Sequence, residues 1–150
     1  MSTDNKSIKF EDFAHRIDLA VRWGDVDMFG HVNNAKYFTY VESARIEYLE
    51  SLGAVDGARS NVGGSVILAS IGADFIAQVR YPAKLVIGTR ITKIGRSSMG
   101  LLNGVFLGEQ LVLAARGTLV WFDYTSQKAA PVPDHVRAAI IDREVVAPES

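Results

Sequence analysis

Apolar and polar positions alternate from residue 16 onward. In RIDLAVRW, Ile17, Leu19, Val21 and Trp23 stand against Asp18, Ala20 and Arg22, and that period of two predicts a strand with one buried face. From Asn34 the period lengthens. Tyr37, Val41, Ala44, Tyr48 and Leu52 recur at spacings of three and four, with Phe38, Arg45 and Leu49 beside them, which predicts a helix. Asn33 or Asn34 suits its N-cap, and Gly53 suits the left-handed residue past its C-terminus. About 19 residues at 1.5 Å each give a helix roughly 28 Å long. Phe38, Tyr40 and Ile46 add apolar material outside the main stripe, so much of the circumference is expected to be covered.

Residues 54–64, AVDGARSNVGG, read as a loop. Ser65 to about Tyr124 then reads as strand: SVILASIGADFIAQVRY, AKLVIGTRITKIGR, MGLLNGVFL and QLVLAARGTLVWFDY are separated by Pro82, glycines and GEQ. Short connections predict an antiparallel meander. In PVPDHVRAAIID, Asp134 is the expected cap of a short helix whose inner face is Val136, Ala139 and Ile140. The sum is α+β, with the long helix covering the face that the sheet must bury. The 150 residues fit one domain, and the ends, 1–14 and 144–150, are expected to be loosely held.

Composition narrows the class without choosing a function. Hydrophobic residues make up 48% and charged residues 22%, and no apolar run reaches the roughly 18 residues of a membrane span. A net charge of -1 without blocks of either sign gives no nucleic-acid footprint. The chain has no cysteine, which removes disulfides, thiolate catalysis and cysteine-bound zinc. The opening MSTDNKSIKFEDF lacks the apolar core of a secretion signal, so a cytoplasmic location is expected.

The chemistry concentrates in WGDVDMFGHVNN, residues 23–34, where strand hands over to helix. If the strand persists, Asp25 and Asp27 point to one face about 6.6 Å apart. Aspartates ahead of a glycine also serve as plain turn and cap residues. Their position changes the balance, because a helix N-terminus offers free N–H groups and the positive end of a macrodipole, and such an end holds a developing oxyanion. An ionised aspartate there can activate a water or attack an acyl carbon. His31 could polarise a carbonyl or orient a base, or be a hydrogen-bonded structural residue. Glu42 and Arg45 make either a surface pair or, with an enclosed helix, a buried carboxylate and second candidate base. No nucleophile elbow is present, and His15, His31 and His135 lie in different segments, so no metal site is expected.

The run VRWGDVDMFGHVNNAKYFTYVESARIEYL, with IGRSSMGLLNGVFL and LVLAARGTLVWFDYTSQKAAPVPDHVRAAI, resembles the hotdog-fold acyl-CoA thioesterases of the 4-hydroxybenzoyl-CoA thioesterase-like family, across about residues 15–141. The resemblance implies a helix wrapped by a five- or six-stranded antiparallel sheet. It also implies sites at the interface of a homodimer, which can pair into a homotetramer. It makes Asp27 the catalytic carboxylate, as general base or nucleophile, places the oxyanion donor at the backbone N–H of Asn34, and leaves Asp25 a supporting role. HVNN is also similar to the plant acyl-carrier-protein thioesterases, whose pattern has an asparagine two residues after the aspartate and a histidine four after it. Here His31 matches, but Phe29 replaces the asparagine, which favours the aspartate-centred mechanism and leaves His31 secondary.

For the carrier's phosphates, KIGRSS offers Lys93, Arg96, Ser97 and Ser98, although a basic strand end can equally be solvated. Tyr37, Phe38 and Tyr40 put aromatics near the site or simply into the core. The expectation is therefore an acyl-CoA thioesterase releasing free acid and coenzyme A, with coenzyme A as part of the substrate, no separate cofactor, and no nucleic-acid or membrane partner. The alternatives are an acyl-carrier-protein thioesterase, a hotdog dehydratase and a non-catalytic acyl-CoA-binding module.

Overall fold

The structure, a computed structural model, describes residues 3–54 and 64–150. The loop expected at 54–64 falls almost wholly outside them. Strand β1 (His15–Ala20) is followed by a 3₁₀ turn, Trp23–Asp25, and by helix α1 (Asn34–Ser51). Strands β2 (Gly64–Phe75), β3 (Lys84–Ile94), β4 (Ser98–Leu107), β5 (Gln110–Asp123) and the short β6 (Lys128–Ala129) come next, and α2 (Asp134–Arg143) follows. The paired strands are all antiparallel, in the order β1-β3-β4-β5-β2, with β6 added to β5. Among the described residues no helix is long and apolar enough to cross a membrane.

The helix forms where its stripe predicts. The Asn33 side chain accepts a bond from Ala35 N–H at 3.0 Å, and Gly53, at φ 73°, closes the other end by donating to Glu50. Tyr37, Tyr40, Val41, Ala44, Tyr48 and Leu49 are buried against the concave side of the sheet, among Leu85, Ile87, Ile91, Val105 and Leu119. Phe38 and Ile46 stay exposed in the single chain, so the helix is covered on one side only. The meander holds for β3, β4 and β5 alone. β2 pairs with the far side of β5, and residues 76–83 cross back to start β3 beside β1. That crossover is anchored where Ile76 and Ala77 donate to Val112 and where Val32 donates to buried Val79. It runs beside the entrance to α1.

The strand expected to run through Trp23 stops at Ala20. Its successor turns through Trp23–Asp25, and Trp23 points outward at 75% exposure. Asp134 is the first helical residue of α2, behind Pro133 at the N-cap, and its side chain makes no cap bond.

Over their described residues, both terminal segments expected to be loosely held pack on the sheet, because each satisfies something the sheet leaves open. Phe13, 1% exposed, packs on the outer face with Leu102 and Phe106, and Ile8 and Phe10 extend the patch. Its seat is the registered pair Gly88 and Gly104, where a Cβ on Gly88 would lie 2.4 Å from the Phe13 ring. At the other end, β1 covers β3 only as far as Thr89. Beyond it, the Glu144 carboxylate accepts from Ile91 N–H at 2.6 Å, and the Glu149 backbone bonds to Thr92 and Ile94. Backbone donors inside a fold need partners, and the C-terminal segment supplies them.

Candidate active site

Two aspartates that share a spacing do not share a face. Asp25 sits in the 3₁₀ turn, 1% exposed, and accepts from the Tyr40 hydroxyl at 2.5 Å, Arg22 N–H at 3.0 Å and the Arg22 guanidinium at 3.2 Å. Its carbonyl accepts from Asn33 N–H at 2.9 Å. Burial alone would raise this carboxyl, but the bonds from Tyr40 and Arg22 hold it below the ordinary aspartate range. Burial and the Asp25 charge push the Tyr40 phenol upward. Asp25 therefore pins the turn, the helix cap and the helix body together, and it lines neither of the two clefts beside Asp27.

Asp27 is exposed, at the start of a tight loop closed by the Val26–Val32 bridge. Its N–H donates to the His31 carbonyl at 2.8 Å, and Gly30, at φ 82°, donates back to its carbonyl at 3.0 Å. One carboxylate oxygen, Oδ1, accepts from Phe29 N–H at 2.9 Å and His31 N–H at 3.3 Å. No partner is found for Oδ2 among the described residues, so one oxygen aims the group while the other faces outward. Phe29, which replaces the asparagine of the plant pattern, still orients Asp27 through its backbone.

Asp27 lies between two open clefts. One, of about 680 Å³, is lined by Asp27, Phe29, His31, Asn34 and Tyr37, with Phe75 to Gln78 as the opposite wall. The other, of about 610 Å³, is lined by Asp27, Trp23, Met28, Gly30, Arg80 and Tyr81. The structure thus brings Asp27, His31, Asn34 and Tyr37 to one space. Asn34 opens α1, and its N–H has no acceptor among the described residues. Tyr37 packs edge-on against Tyr40 and Phe75, and burial raises its phenol above the ordinary tyrosine range.

Other expected residues are not in that space. Glu42 is a surface group, 63% exposed, paired with Arg45 at 3.6 Å, because the outer side of α1 is uncovered in one chain. Lys93, Arg96, Ser97 and Ser98 belong to the β3–β4 hairpin, at the far end of β3. The 11 residues of β3 put roughly 30 Å between that hairpin and the site end of the sheet. The crossover wall, Phe75 to Arg80, was not identified from sequence. Its one signal was Pro82, which ended a strand without showing where the chain went next.

Against known families, residues 21–140 match the model described as the thioesterase-like superfamily. The chain belongs to that superfamily. This chain is 33% identical over 126 residues to the chloroplastic acyl-acyl carrier protein thioesterase ATL2 of Arabidopsis thaliana, covering 83% of this chain and 66% of that one. It thus spans just under two thirds of that relative's length. The PA5185 protein of Pseudomonas aeruginosa superposes with a TM-score of 0.80 at 27% identity, over 91% of this chain and 96% of its own. A Thermus thermophilus thioesterase crystallised with coenzyme A and zinc gives 0.77 at 28% identity, over 90% and 97%. The curled sheet on one long helix is the hotdog fold.

Proposed function

We propose that this thioesterase hydrolyses acyl-CoA to free acid and coenzyme A, with Asp27 as the working carboxylate and the first turn of α1 as the oxyanion hole. The observation that carries the reading is the Asp27 carboxylate, fixed through Oδ1 and open at Oδ2, in the cleft that Asn34 also lines. In the general-base form Asp27 takes a proton from water, and the oxygen attacks the acyl carbon. Negative charge builds on the carbonyl oxygen, where the Asn34 N–H and the helix dipole meet it. The C–S bond then breaks, and the thiolate recovers the proton from Asp27. In the nucleophilic form the carboxylate attacks and water opens the resulting anhydride; a single turnover in ¹⁸O-water labels Asp27 only in that form. Coenzyme A enters as part of the substrate.

Asp27→Asn keeps the acceptor for Phe29 and His31 but removes the base, and is expected to lower kcat about 10²- to 10⁴-fold with acyl-CoA binding and Tm retained. A loss under about tenfold, read by thiol release, overturns the assignment. Acyl-carrier-protein thioesters form a second reading, favoured by the Arabidopsis relative, and kcat/KM on the two carriers decides between them. No observation favours the dehydratase or the non-catalytic module.

We further infer a homodimer. β2 is an edge strand of 12 residues with Ile67, Leu68 and Phe75 exposed, and Trp23, Met28 and Phe29 are exposed around the clefts. A long apolar edge of this kind is normally covered. Antiparallel pairing of β2 with the partner's β2 would bring the partner's β3–β4 hairpin toward the Phe75 end of this chain. Lys93, Arg96, Ser97 and Ser98 would then serve the neighbour's site.

A further inference from the structure

The outer face of the sheet holds a separate cavity of about 330 Å³ beside the N-terminal segment. Arg90 on β3, Leu102 on β4 and Arg116 on β5 are register partners, so the two arginines stand two strand spacings apart, roughly 10 Å, on either side of Leu102. Both line the cavity, as do Lys9 from the segment above, the Thr92 hydroxyl, the Phe13 ring and one opposing carboxylate, Asp12. The Arg90 Nε is buried and has no acceptor among the described residues. Arg116 is only partly engaged, by Asp74 at 3.7 Å, and Asp74 is itself bonded to Asn5. Glu144 lies within electrostatic reach of Arg90; its Oε2 accepts from Tyr48 and Ile91, and its Oε1 has no hydrogen-bond partner among the described residues.

We propose that this cavity is a binding site for a phosphomonoester, distinct from the hydrolytic cleft, with which it shares no lining residue. Among the lining residues three cations stand against one carboxylate, with Asp74 beside Arg116 and Glu144 near Arg90 balancing part of that charge from outside the cavity. Guanidinium forks match the oxygen pairs of a phosphate, and a buried guanidinium N–H without an acceptor is costly until an anion arrives. The cavity exceeds a bare phosphate, and its apolar floor of Leu102 and Phe13 suits the carbon body of the ester.

The test is a ¹H–¹⁵N titration of the full chain that follows arginine Nε signals, with inorganic phosphate and adenosine 3′,5′-bisphosphate as separate probes. Both are expected to shift Arg90 and Arg116 saturably; tighter binding of the bisphosphate identifies an ester ligand, whereas equal or tighter binding of inorganic phosphate overturns the ester assignment. Arg90→Gln is expected to weaken binding about tenfold to hundredfold, and Asp12→Asn to strengthen it, with thiol release from acyl-CoA unchanged in both. No saturable shift by about 10 mM of either probe, or equal binding by Arg90→Gln, overturns the site. The titration of the unaltered chain decides even if a variant fails to fold.

Discussion

Two buried carboxylates show how environment gives one functional group opposite behaviour. Asp25 is held below its ordinary range, because the bonds from Tyr40 and Arg22 outweigh the cost of burial. Its contribution to stability is present above the unfolded aspartate value, near pH 4, and is lost as pH falls through the folded value. Glu144 is raised, because burial outweighs its bonds from Tyr48 and Ile91. Its contribution is fullest below the unfolded glutamate value and is lost as pH rises through the folded one. Tyr40→Phe is therefore expected to cost about 1–3 kcal/mol near neutral pH and to flatten the acid limb. Glu144→Gln should gain on the unaltered chain as pH rises from about 4. Denaturant unfolding between about pH 3 and 8 measures both, and parallel pH profiles for all three proteins would contradict the assignment.

At the scale of elements, the decisive fits are between pieces that the periodicity does not connect. Phe13 reaches a notch that exists because Gly88 and Gly104 are paired across β3 and β4. Phe13→Ala should cost about 3–5 kcal/mol. Gly88→Ala should cost about 1–3 kcal/mol, since the crowded atoms lie at the base of the ring, where Phe13 cannot swing aside. Combined, the two changes should cost clearly less than their sum, because the clash disappears with the ring; strict additivity in thermal or denaturant unfolding would mean that they do not meet. The apolar residues of the first segment, Ile8, Phe10 and Phe13, were visible in the sequence. A surrounding of polar residues and the absence of a regular period hid them, since only the sheet's outer face gives them a place.

For the whole molecule, the proposed sharing of one site between the Asp27 end of one protomer and the Arg96 hairpin of its partner predicts complementation between protomers. Asp27→Asn and Arg96→Ala chains should each be impaired on acyl-CoA as homodimers. Mixed and allowed to exchange, they should form heterodimers with one intact site, so that activity rises above the weighted sum of the two parents. No rise despite exchange, as followed by native mass spectrometry, would mean that Asp27 and Arg96 do not serve one site across the interface.

Local pattern determined much of this. The stripe through Tyr37, Val41, Ala44, Tyr48 and Leu52 and the caps at Asn33 and Gly53 were legible because helix geometry and end chemistry are set by neighbours within a few residues. The β-rich run from Ser65 onward was legible from side-chain type. The concentration of donors and carboxylates at residues 23–34 located the candidate site. Tertiary structure alone decided which carboxylate is buried. The turn at Trp23–Asp25 breaks the strand spacing, sends Asp25 under Tyr40 and leaves Asp27 in the cleft. It also decided that β2 lies beyond β5 and that the crossover from Phe75 to Arg80 walls the clefts. Strand order and burial depend on pairings dozens of residues apart, and periodicity carries no record of the partner.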